Sequence, residues 1–214
     1  MEVGLKSHLQ PASIFYHSPM PLHRSLFSAL AFFDQFDYPL TLSELARYRF
    51  ATDEKTDQPS LADVATVVRV PEIGERDGFY FLSGRDALVD IRLRRYRLAE
   101  IKFRIAVRAA RMMRWLPSVR LVAVCNSLAW SNADRDSDID LFVVVRPGTL
   151  WATRLILTGV LAVFGLRPST RKSADRLCLS FFASENALGL SKLAIPGGDP
   201  YLACWAASLV PLYD

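Results

Sequence analysis

From Pro21 onward, large apolar residues recur three or four positions apart. Leu22, Leu26, Leu30 and Phe33 fall on one face and predict a helix. Tyr38-Pro39 ends it, because a residue before proline is pushed out of the helical region. Thr41, with Glu44 three positions later, has the spacing of a capping box and starts a short helix carrying Leu42, Leu45 and Ala46. A polar stretch from Thr52 to Pro59 precedes a third helix, from Ser60 or Leu61 to about Val68. Asp77-Gly78 then leads into the aromatic run Phe79 to Leu82, which reads as the turn and second strand of a short hairpin. Residues 1–20 show no period and contain Pro11 and Pro19, so they read as a loose tail.

Residues 85–116 carry no glycine and no proline before Leu116 and are expected to form one long helix, stopped by Pro117. Leu93, Ile101, Ile105 and Met112 supply its apolar positions. Beyond it the period changes. Val119 to Cys125 and Asp138 to Val145 read as strands, and the polar segment Asn126 to Ser137 between them as a loop with room for a short helical turn. Thr149 to Phe164 is helical, Arg176 to Ala183 has the texture of a third strand, and Tyr201 to Leu209 is a last helix. The longest apolar run, Leu155 to Leu166, is too short for a membrane span, which needs about 20 residues. It reads as a buried helix.

Composition adds three points. Hydrophobic residues make up 51% of 214, which excludes a disordered chain and leaves room for a core. The net charge of +4 is concentrated in the long helix, where arginines and Lys102 face only Asp86, Asp90 and Glu100. Such a stripe is a solvated face packing through its aliphatic stems, or a surface for phosphates. Cys125, Cys178 and Cys204 are far apart in apolar runs, without CxxC spacing, which fits core thiols of a cytoplasmic protein and not a zinc site. His8, His17 and His23 lie far from the motif described next and have no catalytic role in this reading.

The informative stretch runs from Val122 to Val145. Side chains alternate along a strand, so Asp138 and Asp140 share one face while Ile139 and Leu141 point into a core. Adjacent carboxylates repel, and a bound hard cation, Mg²⁺ or Mn²⁺, is the usual remedy. The Asn126-Ser127 turn after the preceding strand can aim backbone N–H groups and a hydroxyl at phosphate oxygens.

These residues resemble the core of the DNA polymerase β-type nucleotidyltransferase superfamily, in which a strand, a Gly-Ser turn and a loop precede a strand reading Ser-Asp-Ile-Asp-Leu. The twelve-residue step from Asn126 to Asp138 equals the family's step from that glycine to the first metal-binding aspartate. Ser127 falls on the family serine, Ala129 fits the loop, and Asp138 and Asp140 fall on the metal ligands. The resemblance implies a magnesium-dependent transferase that moves a nucleoside monophosphate from an NTP to a hydroxyl acceptor. Asp138 and Asp140 would be its catalytic and metal-binding residues, and Asn126 and Ser127 its nucleotide-binding residues. Two departures stand out. Asn126 replaces the glycine, and the third strand offers Cys178 and Ser180 where the family places a third carboxylate, with Asp175 and Glu185 just outside it.

The expected fold is α/β (α+β). Residues 1–20 are a tail, and 21–84, by their order of three helices and a hairpin, resemble a winged-helix domain. Residues 85–116 are a connecting basic helix, and 117–214 a nucleotidyltransferase-like mixed sheet flanked by helices. The chain stops at Asp214 soon after an apolar helix, so the acceptor-binding part of such a domain is expected to lie outside it. The expected partners are an NTP and a nucleic-acid or protein acceptor, with no membrane. The helix from Leu61 to Arg69 is poor in basic residues, which weighs against groove reading by the winged-helix-like part. The alternative function is a non-catalytic regulatory or nucleic-acid-binding protein on the same fold.

Overall fold

The computed structural model describes residues 20–50, 59–169, 173–196 and 198–213. The tail expected over residues 1–20, except Met20, and the polar stretch after Ala51 as far as Gln58 lie outside them. The described residues form a mixed α/β structure with seven α-helices and two sheets. They divide into two compact units, residues 20–94 with 191–204, and residues 95–190 with 205–213.

The first unit contains α1 (Leu22–Asp34), β1 (Leu40–Thr41), α2 (Leu42–Tyr48), α3 (Leu61–Val67), β2 (Ile73–Arg76) and β3 (Phe79–Leu82). Its sheet has the order β1-β3-β2, antiparallel throughout. The β2–β3 turn has Asp77 and Gly78 both at positive φ, 56° and 78°, as a tight two-residue hairpin requires. Leu26, Leu30 and Phe33 of α1 are buried, as their spacing predicts. The Phe33 ring packs 5.1 Å from Tyr48 and 5.6 Å from Tyr38. Thr41 and Glu44 make the expected capping box at α2, and Ser60 and Asp63 make a second one at α3.

The long helix α4 (Leu88–Met113) begins in this unit and passes into the other at Arg95. The second unit continues with β4 (Val119–Val124), α5 (Asn126–Ala129), β5 (Ile139–Val145), α6 (Leu150–Val163), β6 (Leu177–Ser184), the latter part of α7 (Pro200–Ser208) and β7 (Val210–Tyr213). The sheet order is β6-β5-β4-β7. β5 runs parallel to β6, with α6 as the connection, and β4 is antiparallel to both β5 and β7. Ile139, Leu141, Val143 and Val145 of β5 join Val122 and Val124 of β4 in a core closed by α4 and by Leu157 and Leu161 of α6.

Three expectations are corrected. Of the apolar positions expected on α4, Ile105 packs against the core, but Leu93, Ile101 and Met112 are exposed. The helix packs through Ala99, Ala106, Ala109, Ala110 and Met113. The Leu155–Leu166 run is helical as far as Val163 but mostly exposed, since only Leu157 and Leu161 of its residues are buried. The chain also adds β7 after its last helix, an edge strand on β4 that contains Pro211. An edge tolerates proline because one side of the strand needs no donor. No helix among the described residues is long and apolar enough to cross a membrane.

Candidate metal and phosphate site

β4 and β5 are neighbours, with Val124 opposite Leu141, and the Cys125 N–H donates to the Asp140 carbonyl at 3.1 Å. The turn leaving β4 therefore begins beside the start of β5. The odd-numbered residues of β5 are committed to the core, so its even-numbered residues, Asp140 and Phe142, face the other side, as does Asp138 just before the strand. One oxygen each from Asp138 and Asp140 and the Cys178 sulfur lie within 4.8 Å of one another. Cys178 arrives there because β6 pairs with β5 in parallel, with Asp140 opposite Cys178. The register then shifts before Phe142 meets Phe181, giving β6 one extra residue. Ser180, within that bulge, donates its hydroxyl proton to Asp140 Oδ1, and its Oγ lies 3.2 Å from Cys178 Sγ.

Burial pushes the Asp138 carboxyl above the ordinary carboxylate range, and the neighbouring Asp140 charge pushes it the same way. Burial also raises the Cys178 thiol. The Ser180 hydroxyl acts against that rise, and the two carboxylates add to it. Nearby cationic charge is thus favourable at this cluster, and the carboxylates are the donors that a hard divalent ion takes. The two aspartates fit such an ion. Cys178 and Ser180 supply no third carboxylate. Asp175 and Glu185 do not reach the cluster by a change of register, because each is held elsewhere. Asp175 bonds Lys102 at 2.8 Å, and Glu185 bonds Arg120 at 3.2 Å.

Asn126 and Ser127 open α5 directly after Cys125. Asn126 has φ 58°, the left-handed conformation that glycine would adopt at this turn and that asparagine tolerates better than most residues. Its side-chain oxygen accepts a 2.9 Å hydrogen bond from Trp205 Nε1. The Trp205 ring meets Phe142 and Phe181 edge-on, at 5.7 and 5.1 Å. The Ser127 carbonyl accepts from the N–H groups of Trp130 and Asn132, which folds the start of the loop back on the turn.

Two residues of the site escape a reading by motif. Lys102 is almost wholly buried, and its ammonium donates to the Ser137 carbonyl at 2.8 Å, the Arg135 carbonyl at 3.3 Å and Asp175. It ties together the segments that lead into β5 and β6. The sequence does carry a signal, since Lys102 falls on the helix face of Ala99, Ala106 and Ala109, where a solvated lysine does not belong. Trp205 has no comparable signal, because only the fold brings α7 to the turn after β4.

Comparison of the chain with protein-family models, with curated proteins and with solved structures gives no match.

Proposed function

We propose that the chain is a nucleotidyltransferase that transfers a nucleoside monophosphate from an NTP to a hydroxyl acceptor and releases pyrophosphate. The observation that carries this reading is the pairing of Asp140 at the start of β5 with Asp138 just before it, directly beside the turn that begins at Asn126. The two carboxylates would hold Mg²⁺ or Mn²⁺, which when bound neutralises triphosphate charge and helps activate the attacking hydroxyl. Ser127 and the backbone N–H groups of its turn would bind the triphosphate. The bond from Trp205 occupies the Asn126 side chain and holds the turn in the left-handed form this task needs. Lys102 keeps the approach to Asp138 in register. Three helices followed by a hairpin support reading residues 21–84 as a winged-helix-like module. The three cysteines are free, which suits the reducing cytoplasm.

A second reading is a non-catalytic protein on the same fold. It is favoured by Cys178 and Ser180 where a third carboxylate would act as general base. Calorimetric titration of each of the four NTPs, with and without Mg²⁺ or Mn²⁺, tests both. Ion-dependent binding of at least one NTP is expected, and its loss in Asp138→Asn. No ion-dependent binding of any NTP overturns both the metal and the nucleotide assignments. Binding without pyrophosphate release, across nucleic-acid and protein acceptors, selects the second reading. Asp138→Asn also removes one of two repelling charges. The ion-free variant is therefore expected to melt at the same temperature as the parent or higher, and a fall of several degrees would make Asp138 a structural residue.

A further inference from the structure

We infer that the outer face of α4 binds the backbone of single-stranded nucleic acid. Arg97, Arg104, Arg108 and Arg111 are all exposed and recur at spacings of seven, four and three. Helical periodicity puts them in one row about 21 Å long. Ile101 lies in the same row and is exposed. Glu100 is the only acidic residue between Arg97 and Trp115. Among the described residues none of these four arginines has an ion pair, whereas Arg95 and Lys102 on the same helix are paired to Asp134 and Asp175. The row is therefore a line of available guanidinium groups, which suit phosphate oxygens bidentately.

Two further observations favour a single strand over a duplex. Trp115 continues the row four residues past Arg111 and is 80% exposed, its N–H still bonded to the Met112 carbonyl as the backbone turns. An exposed indole in line with arginines is a platform on which an unpaired base stacks. An open hollow of about 320 Å³ is lined by Phe103, Val107, Arg104, Arg108 and Arg111. Its lining is apolar, supplied by Phe103, Val107 and the aliphatic stems of the three arginines, and fits a base or sugar whose phosphates reach the guanidinium groups beyond it. A duplex keeps its bases stacked inside and uses neither feature. This surface is independent of the nucleotidyl-transfer reading, since it involves neither Asp138 nor Asp140.

Fluorescence anisotropy of a labelled 20-nucleotide oligouridylate, titrated with the full chain at several salt concentrations, tests the inference. The expected slope of log affinity against log salt is about −3, from four phosphate contacts at about −0.7 each. Arg104→Gln with Arg108→Gln is expected to weaken binding at least tenfold and to bring the slope to about −1.4. Trp115→Ala is expected to weaken binding about tenfold with the slope unchanged. Circular dichroism verifies that these surface variants fold. Asp138→Asn is expected to bind the oligonucleotide like the parent, which separates this surface from the metal site. The inference is overturned by absence of binding in low salt, by binding that the arginine substitutions leave intact, or by equal or tighter binding of a duplex of the same length. A doubled mass in light scattering that the same substitutions abolish would also overturn it, and would make the face a contact between copies of the chain.

Discussion

Lys102 and Asn126 hold the candidate site together by different means. A buried ammonium is costly unless its three donors are met, and Lys102 meets two carbonyls and a carboxylate. Lys102→Met keeps most of the apolar stem but leaves those oxygens with one partner fewer. It is expected to cost about 2–3 kcal/mol in chemical denaturation, discounted for solvent at the half-exposed Asp175. A loss below about 0.5 kcal/mol would mean that water replaces the ammonium freely. At Asn126 two effects separate by substitution. Asn126→Ala loses the Trp205 bond and strains a left-handed backbone, at an expected cost of about 2 kcal/mol. Asn126→Gly loses the bond alone and is expected to cost about 1 kcal/mol. Equal losses from the two would show that the backbone conformation is not the constraint. The Asp pair was legible in the sequence because strand alternation is local. By sequence Lys102 is one more basic residue of α4, because its partners lie 33 to 73 residues away.

Among the elements, α2 shows how much a short helix depends on its ends. Seven residues do not make a stable helix alone, so cap and packing decide. Glu44 accepts from the Thr41 backbone and hydroxyl, from the Tyr38 hydroxyl at 3.0 Å and from Arg92 Nη2 at 2.7 Å. Burial pushes its carboxyl up, but the hydrogen bond and charge of Arg92, with those from Thr41, outweigh burial and hold it below the ordinary range. A carboxylate whose folded pKa is lowered stabilises the fold above its unfolded value, near 4.3, and loses that contribution as pH falls through the folded value. Glu44→Gln is therefore expected to cost about 2 kcal/mol at pH 7, with the variant and parent melting curves converging below about pH 4. A constant gap from pH 7 to pH 2 would remove the charge from the explanation. The Thr41–Glu44 spacing announced this helix, because a capping box is written within four residues. β7 was not announced. Val210 to Tyr213 contains a proline and too few residues for a period, and only its pairing with β4 makes it a strand.

Across the whole molecule the apolar residues do not all go inside. The sequence shows α6 to be apolar nearly all round, and that pattern alone suggests burial. Which of its residues are covered depends on what the fold lays against it, and only Thr153, Leu157 and Leu161 are buried. Trp151, Leu155, Val163 and Phe164 are each at least 70% exposed, and Ile156 nearly half. So many large apolar side chains exposed on one helix are unusual on a protein that stays dispersed. Its consequence belongs to handling in solution. The chain is expected to be retained on a hydrophobic-interaction column, to brighten an anilinonaphthalene dye while folded, and to lose solubility steeply as sulfate is added. Leu155→Lys with Val163→Lys should shorten the retention and raise the solubility limit while leaving the melting temperature within about two degrees, since exposed substitutions change stability by about 0.5 kcal/mol or less. A melting temperature that drops far more would show these side chains to be packed, and the salting-out behaviour would need another source.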